Sequence, residues 1–223
     1  MAFANKSHAG ELALKPLLAL CAGRAEVAEA CAALGKWDGR FDNDSRAAWL
    51  FDRFWMKARS VPGLWAVPFD VKDPVHTPRD LVTSGEVGDK LIAALKAATE
   101  EVAKAGIALD ARWGDVAFAR RLTDRIPVHG GDGVLGVLNV QIMVPTQGGV
   151  TPRHGSSYVQ VVGFDDAGPV AETILTYSQS PDPQSPWHGD QTRLYSEKKW
   201  VRFPFSPAQI AAAKVGEAVT IRE

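Results

Sequence analysis

Helical periodicity fills the first half of the chain and period-two alternation fills most of the second. This order predicts an α+β fold whose sheet is antiparallel. Two observations carry it. Between residues 11 and 106, apolar side chains recur at spacings of three and four, interrupted only by a proline-rich stretch. From residue 135 onward, Leu138, Val140, Ile142 and Val144 share one face of an extended segment, and two further such segments follow in succession. Strands that follow one another directly argue against a doubly wound parallel sheet. The 223 residues read as one unit, mainly helical over 1–125 and mainly strands with a C-terminal helix over 126–223.

Glu11 to Ala22 carries Leu14, Leu17, Leu18 and Cys21 at helical spacing, and Ala25 to Leu34 carries Val27, Ala30, Cys31 and Leu34. The two cysteines either face each other across a helical hairpin near Gly23, which implies an oxidising compartment, or serve as small apolar core residues. A third helix has Ala47, Leu50, Phe51, Phe54 and Trp55 on one face, with Asp44 or Ser45 as its cap. Pro62, Pro68, Pro74 and Pro78 make residues 60–83 an extended surface connection without regular structure. Ser84 then caps a long helix striped by Val87, Leu91, Ala94, Leu95, Ala98 and Val102, which Gly106 ends. Strands are expected at 135–144, 157–164 and 171–177, the last two joined by a hairpin at Asp166-Ala167-Gly168. Ser206 and Pro207 open a short helix, and Val219 to Ile221 forms a final strand.

The formal net charge is -1, with 46% hydrophobic and 23% charged residues. That balance gives no basic field for nucleic acid. No run of about 18 apolar residues predicts a membrane span. Lys6, His8, Glu11, Lys15 and Pro16 break up the apolar positions of the N-terminus, so this chain is read as carrying no export signal of its own.

Candidate chemistry is sparse. The glycine-rich run His129 to Gly136 leads into a strand and lacks both Walker and dinucleotide spacing, so it reads as a tight turn. A serine beside a histidine at 153–158 invites a hydrolase reading. Yet no Gly-x-Ser-x-Gly elbow is present, and along a strand Ser157 points away from His154. His129, His154 and His188 show no metal-ligand spacing. The tryptophans fall mostly on apolar faces, where packing is their default role. The densest polar cluster is SPWHGDQTRLYSEKKW, residues 185–200, with His188, Asp190, Gln191 and Arg193 within six residues. Read alone, it suits an active site or a turn fixed by side-chain hydrogen bonds.

These segments, taken in order, resemble the penicillin acylase family, most closely its acyl-homoserine lactone and aculeacin acylase branch. Gly155-Ser-Ser-Tyr158, Val161-Val162, Leu175-Thr-Tyr-Ser-Gln-Ser180, Ser185-Pro-Trp-His188, Asp190-Gln191, Leu194-Tyr195 and Lys199-Trp200 follow the family's Gly-Asp-Ser, "LTYGQSSDPxSPHYxDQ" and "LFSxKxW" patterns. Upstream, Trp37-Asp38, Asp44-Ser45-Arg46-Ala47 and Phe51-x-x-Phe-Trp55 are similar to "LxxWDxR…DSRGAxLFxxFW", and 113–115 and 126–131 fit as well. Ser178 stands where the pattern has Gly, Ser156 where it has Asp, and Trp187-His188 where it has His-Tyr.

The resemblance implies the C-terminal portion of an αββα N-terminal-nucleophile hydrolase fold, completed by a missing N-terminal or α-chain portion. It implies hydrolysis of N-acyl small molecules such as acyl-homoserine lactones, penicillins and acyl peptides. A serine freed by self-cleavage would be the nucleophile, with its own α-amine as base. That serine, the oxyanion donors and the calcium ligands belong to segments upstream of the matched part. The resemblance therefore places no catalytic, cofactor-binding or metal-ligating residue on this chain; Asn43 and Asn139 lie outside the oxyanion motif. It implies a periplasmic or secreted location. It also turns 185–200 into a structural segment, in which Asp190 and Gln191 fix the turn and Leu194, Tyr195 and Trp200 anchor the C-terminus. The alternative is a non-catalytic remnant or binding module. Without its partner layers, the strand region is expected to expose edges and to reduce solubility.

Overall fold

Ser7 starts the regular structure. Its hydroxyl accepts from the Gly10 N–H at 3.0 Å and donates to the Leu135 carbonyl at 2.8 Å. One side chain thereby caps α1 (His8–Leu20) and ties it to a loop far along the chain. The cap moves the helix start three residues ahead of Glu11. The computed structural model describes residues 2–214, 216 and 219–222. Ala9, Ala13 and Leu17, four residues apart, form the buried stripe of α1. A 3-10 turn at Ala25–Val27 leads into α2 (Ala28–Leu34), and Cys21 and Cys31 are joined as a disulfide across this hairpin.

The central element is α3 (Ala48–Ala58), of which eight of eleven residues are buried. Around it the rings of Trp37 and Phe51 stack at 4.3 Å, and Phe41 meets Trp113 edge-on at 5.0 Å. Its cap is not Asp44 or Ser45. Ser45 donates its hydroxyl to Asp38 at 3.0 Å and thereby shapes the preceding loop, while Ala47 occupies the cap position at φ +59°. Ala47 is fully buried and its N–H donates to Ala111. A side chain pays a steric penalty in that left-handed region, and glycine does not.

Pro62 to Pro78 contains more order than expected. β1 (Trp65–Val67) and β2 (Arg79–Leu81) pair antiparallel. Pro68 follows the first strand and Pro78 precedes the second, so the prolines bracket the ladder instead of breaking it. α4 (Gly85–Lys104) packs Leu91, Leu95, Ala98 and Val102 against the core, and Gly106 leaves it at φ +68°. Ser84 sits at its N-cap, but its side chain makes no capping bond.

After α5 (Trp113–Val116) comes a hairpin that periodicity did not reveal, β3 (Phe118–Arg121) with β4 (Asp124–Pro127). Its outward residues are arginines, and Arg125 lies 3.7 Å above the Phe118 ring. The expected strand 135–144 begins only at Gln141: β5 (Gln141–Thr146) pairs with β6 (Gly149–Gly155), itself unforeseen because Pro152 and two glycines disguise it. Gly133–Leu135 instead forms a 3-10 turn capped by Asp132. Leu138 consequently lies exposed rather than on a common face with Val140 and Ile142.

β7 (Tyr158–Asp165) and β8 (Gly168–Leu175) form the expected hairpin, with Asp166-Ala167 as its two-residue loop. α6 (Asp190–Ser196) follows, then β9 (Val201–Phe203), which pairs with the other edge of β8. Ser206 and Gln209 form a reciprocal capping box on α7 (Pro207–Ala213). Val219 to Ile221 is not a strand; its described residues lie exposed. Each of the four small sheets among the described residues is antiparallel, so the α+β class with helices first holds. A large core spans the helices and Trp113, and a smaller one gathers Ala119, Val128, Ile174 and Tyr195 beneath the β7–β9 sheet.

Ala47→Gly is expected to raise stability by about 0.5–1 kcal/mol, because the left-handed penalty of a Cβ disappears. Urea unfolding of the two proteins checks this.

Candidate functional site

The buried polar groups of the chain converge on His129. Its imidazole is fully buried, brought there by the segment that leaves β4. Nε2 lies 2.9 Å from the Tyr195 carbonyl and Nδ1 lies 3.0 Å from the Asn5 amide nitrogen. A carbonyl accepts only, so Nε2 carries the proton and Nδ1 accepts from Asn5. Burial pushes the imidazole pKa down to about 4, with the nearby Lys198 charge acting in the same direction. His129 is therefore neutral at physiological pH. The Tyr195 ring stacks on it at 4.0 Å, and the Tyr195 hydroxyl donates to the His129 carbonyl at 3.2 Å.

The network spreads from there. Asn5 also donates to Asp42 at 2.6 Å, and Lys198 donates to the same carboxylate oxygen at 2.6 Å. Burial works against ionisation of Asp42, but these two donors outweigh it and hold the carboxyl below its usual range. Asn139 donates to the Asn5 side-chain oxygen and to the Ala2 and Ala4 carbonyls. Gln141 donates to the Tyr195 hydroxyl at 3.4 Å and accepts from the Tyr177 hydroxyl at 2.7 Å. Burial pushes the Tyr177 phenol up to about 12, so it stays a donor. Gly130 makes the turn possible: it sits at φ +99°, and a Cβ there would fall 2.4 Å from the Asn139 carbonyl oxygen.

This arrangement ties segments of the chain together. Both nitrogens of His129 are engaged, and among the described residues no serine, threonine or cysteine side chain hydrogen-bonds to a histidine. His154 lies exposed near the end of β6, opposite Ile142, while Ser157 precedes β7 and gives its carbonyl to the Thr176 N–H. His188 bonds the Ser180 carbonyl at 3.0 Å. The three histidines do not converge: among the described residues no group of three or more His, Cys, Asp or Glu is placed to hold a metal. The glycine-rich run is a turn, but a turn that carries the hub, which the sequence signalled only by its dense glycines.

The 185–200 segment is built to hold β8. Gln191 accepts the Leu175 N–H at 2.8 Å, as expected of a turn-fixing residue. Asp190 departs from that expectation: it caps nothing, and its Oδ1 is buried without a partner. The cap comes from outside the segment. Gly189 precedes α6, and a side chain there would press on Arg121 at 3.0 Å. Ser178 supplies the missing acceptor, taking the Thr192 N–H at 3.0 Å. Ser178 itself sits at φ +60°, which is the backbone reason for glycine at that place in the pattern. Tyr195 is fully buried, Leu194 and Trp200 are half-buried, and Phe3 stacks on Trp200 at 4.4 Å, so the anchoring roles hold.

The penicillin amidase family model matches residues 1–212. The acyl-homoserine lactone acylase PvdQ of Pseudomonas syringae pv. tomato is 40% identical over 97% of this chain and 29% of that protein. The aculeacin-A acylase of Actinoplanes utahensis is 36% identical over 94% of this chain and 27% of that protein. The chain thus spans less than a third of the length of these relatives. A thermostable penicillin G acylase from Alcaligenes faecalis aligns over 99% of this chain and 48% of that one, at 17% identity and a TM-score of 0.44.

Two outcomes test the hub and the cap. An unfolded histidine takes up its proton near the ordinary pKa of 6.5, whereas His129 resists until about 4. Stability contributed by neutral His129 is therefore fully present above 6.5 and is lost as pH falls toward 4, by on the order of 3 kcal/mol. His129→Gln, measured by urea midpoints at pH 6.5 and 4, is expected to show a shallower loss than the native chain. Ser178→Ala keeps the backbone strain and orphans the Thr192 N–H, costing about 1–2 kcal/mol. Ser178→Gly relieves the strain and is expected to cost less in the same assay.

Proposed function

The chain belongs to the penicillin amidase family, and from that premise we propose that it is part of an amide hydrolase acting on N-acyl small molecules. The reaction adds water across the N-acyl bond and yields a carboxylic acid and a free amine. The observation that carries this reading is the family match over residues 1–212, together with relatives named acyl-homoserine lactone acylase and aculeacin-A acylase at 36–40% identity. Acyl-homoserine lactones are the substrate class the reading favours; penicillins and acyl peptides are the others the resemblance implies.

In this proposal the nucleophile and its oxyanion donors come from a portion of the acylase that the chain does not include. The engaged state of His129 and the exposed, unpartnered setting of His154 support that division. The role of this chain is then positional: its hub and its α6 segment hold the β7–β9 sheet in place, since misplacing catalytic groups by an ångström costs orders of magnitude in rate. The location in the proposal is periplasmic or secreted. The Cys21–Cys31 bridge supports it, because disulfides persist in oxidising compartments.

The test is release of free amine from an N-acyl-homoserine lactone. The chain by itself is expected to be inactive. Combined with the unmatched portion of the Pseudomonas syringae pv. tomato relative, it is expected to be active. Turnover by the chain alone would overturn the assignment of the nucleophile to another portion, and an assembled but inactive complex would overturn the acylase reading.

A further inference from the structure

Two buried polar atoms of opposite sign, both without a partner, belong to side chains that line one hollow. Arg121 at the end of β3 and Asp190 at the start of α6 face a cavity of about 400 Å³ between the β3–β4 turn and the 183–193 segment. Among the described residues nothing hydrogen-bonds to the Arg121 Nε or to the Asp190 Oδ1. Buried polar atoms are as a rule satisfied, so two orphans in one place need a cause. The rest of the guanidinium is fixed. Its terminal nitrogens donate to the Arg120 carbonyl at 2.9 Å and to the Tyr177 carbonyl at 3.2 Å. Both acceptors are neutral, and among the described residues neither Arg121 nor Asp190 belongs to an ion pair. Burial accordingly lowers the Arg121 pKa.

The charges around the hollow select its occupant. Asp124 and Arg193 also line it, but they pair with each other and cancel. One positive and one negative group remain that do not meet. A simple anion would gain Arg121 and be repelled by Asp190, and a simple cation would meet the reverse. A neutral amide matches the donor and the acceptor but leaves both charges uncompensated. A zwitterion satisfies both. The two groups also spring from adjoining places. Gly189, the neighbour of Asp190, packs so closely on the Arg121 stem that a Cβ there would fall 3.0 Å from its Cγ. That closeness suits a ligand whose ammonium and carboxylate share one carbon. Leu122, Pro183 and Pro186 line the same hollow, and Leu122 is 69% exposed, so an apolar side chain has apolar surface to cover.

We propose that this hollow binds a free α-amino acid with an apolar side chain, its ammonium on Asp190 and its carboxylate on Arg121. The ammonium donates to the Asp190 carboxylate, and the Arg121 Nε–H donates to the carboxylate of the ligand. Both bonds are charge-assisted, and each satisfies an atom that the fold leaves orphaned. The anchors are set before the ligand arrives. The Tyr177 carbonyl holds the guanidinium, and the bond from the Leu175 N–H to Gln191 holds the backbone next to Asp190. The inference does not depend on the acylase reading, since every group it uses lies on this chain.

The experiment is calorimetric titration of the chain with L-leucine, which is expected to show saturable binding. Two fragments of the same probe separate the charges: 3-methylbutylamine lacks the carboxylate and 4-methylpentanoate lacks the ammonium. Each is expected to bind at least tenfold more weakly than leucine, a comparison that needs no variant. Asp190→Asn and Arg121→Gln are each expected to weaken leucine binding at least tenfold. Glu86→Gln, an exposed change on α4, is expected to keep the native affinity. Urea midpoints show which variants are folded, and the fragment comparison decides the matter where one is not. Absence of saturable leucine binding would overturn the proposal. So would undiminished binding by folded Asp190→Asn and Arg121→Gln variants, which would put the ligand elsewhere. Amine or acid binding as tightly as leucine would reduce the hollow to a cation or an anion site and equally overturn it.

Discussion

The Asn5–His129–Tyr195 contact is the constraint around which the molecule is arranged. An amide from the first residues, an imidazole from the middle and a carbonyl near the end meet in direct hydrogen bonds within a buried site. Each group satisfies a partner that burial would otherwise leave unpaired, at a cost comparable to a lost hydrogen bond for each. Gln141 and Tyr177 extend the network into β5 and the end of β8, and Lys198 and Asp42 extend it toward the α3 loop. The large core reaches into the strand region through Val150, and Met143 packs against both cores, so this polar seam acts alongside apolar contacts in setting the helical body against the strands.

Much of the fold was legible because long periodic segments report burial directly. α1, α3 and α4 show in the spacing of Leu17, Phe51 and Leu95, and the β7–β8 hairpin shows in its alternation and its turn. The misses share a physical origin. β3 and β4 are short, all three of β3, β4 and β6 carry arginine, proline or glycine, and their apolar contribution comes from one or two residues such as Phe118 and Val150. Asn139 and Gln141 alternate with the apolar residues of 135–144, yet they are buried because hydrogen-bond partners wait for them. Contacts between residues more than a hundred positions apart leave no local pattern, so the hub could not be read from the sequence.

The resemblance supplied information of another kind. In both quoted patterns where this chain replaces glycine, at Ala47 and Ser178, the backbone is left-handed. The glycine that the resembled patterns have at both places suits that conformation. At Ser178 a hydrogen bond from the Thr192 N–H offsets the strain; nothing comparable is present at Ala47, whose methyl group is simply enclosed. The polar cluster at 185–200, which looked most like chemistry, proves to be the fastening of β8 and the C-terminal anchor, with Asp190 left holding a buried oxygen that no described group of the chain satisfies.

The meeting of Phe3 with Trp200, of Asp42 with Lys198, and of His129 with Tyr195 also bears on how the chain acquires its shape. These are contacts of very high sequence separation, the kind whose loop-closure entropy must be met before they give anything back. A ribosome delivers Asn5 long before Tyr195 and Lys198. Until then His129 has no carbonyl for its Nε2 proton and Asp42 has no ammonium partner. The helical body can therefore assemble during synthesis, whereas its registration with the sheet is postponed until the last segment emerges.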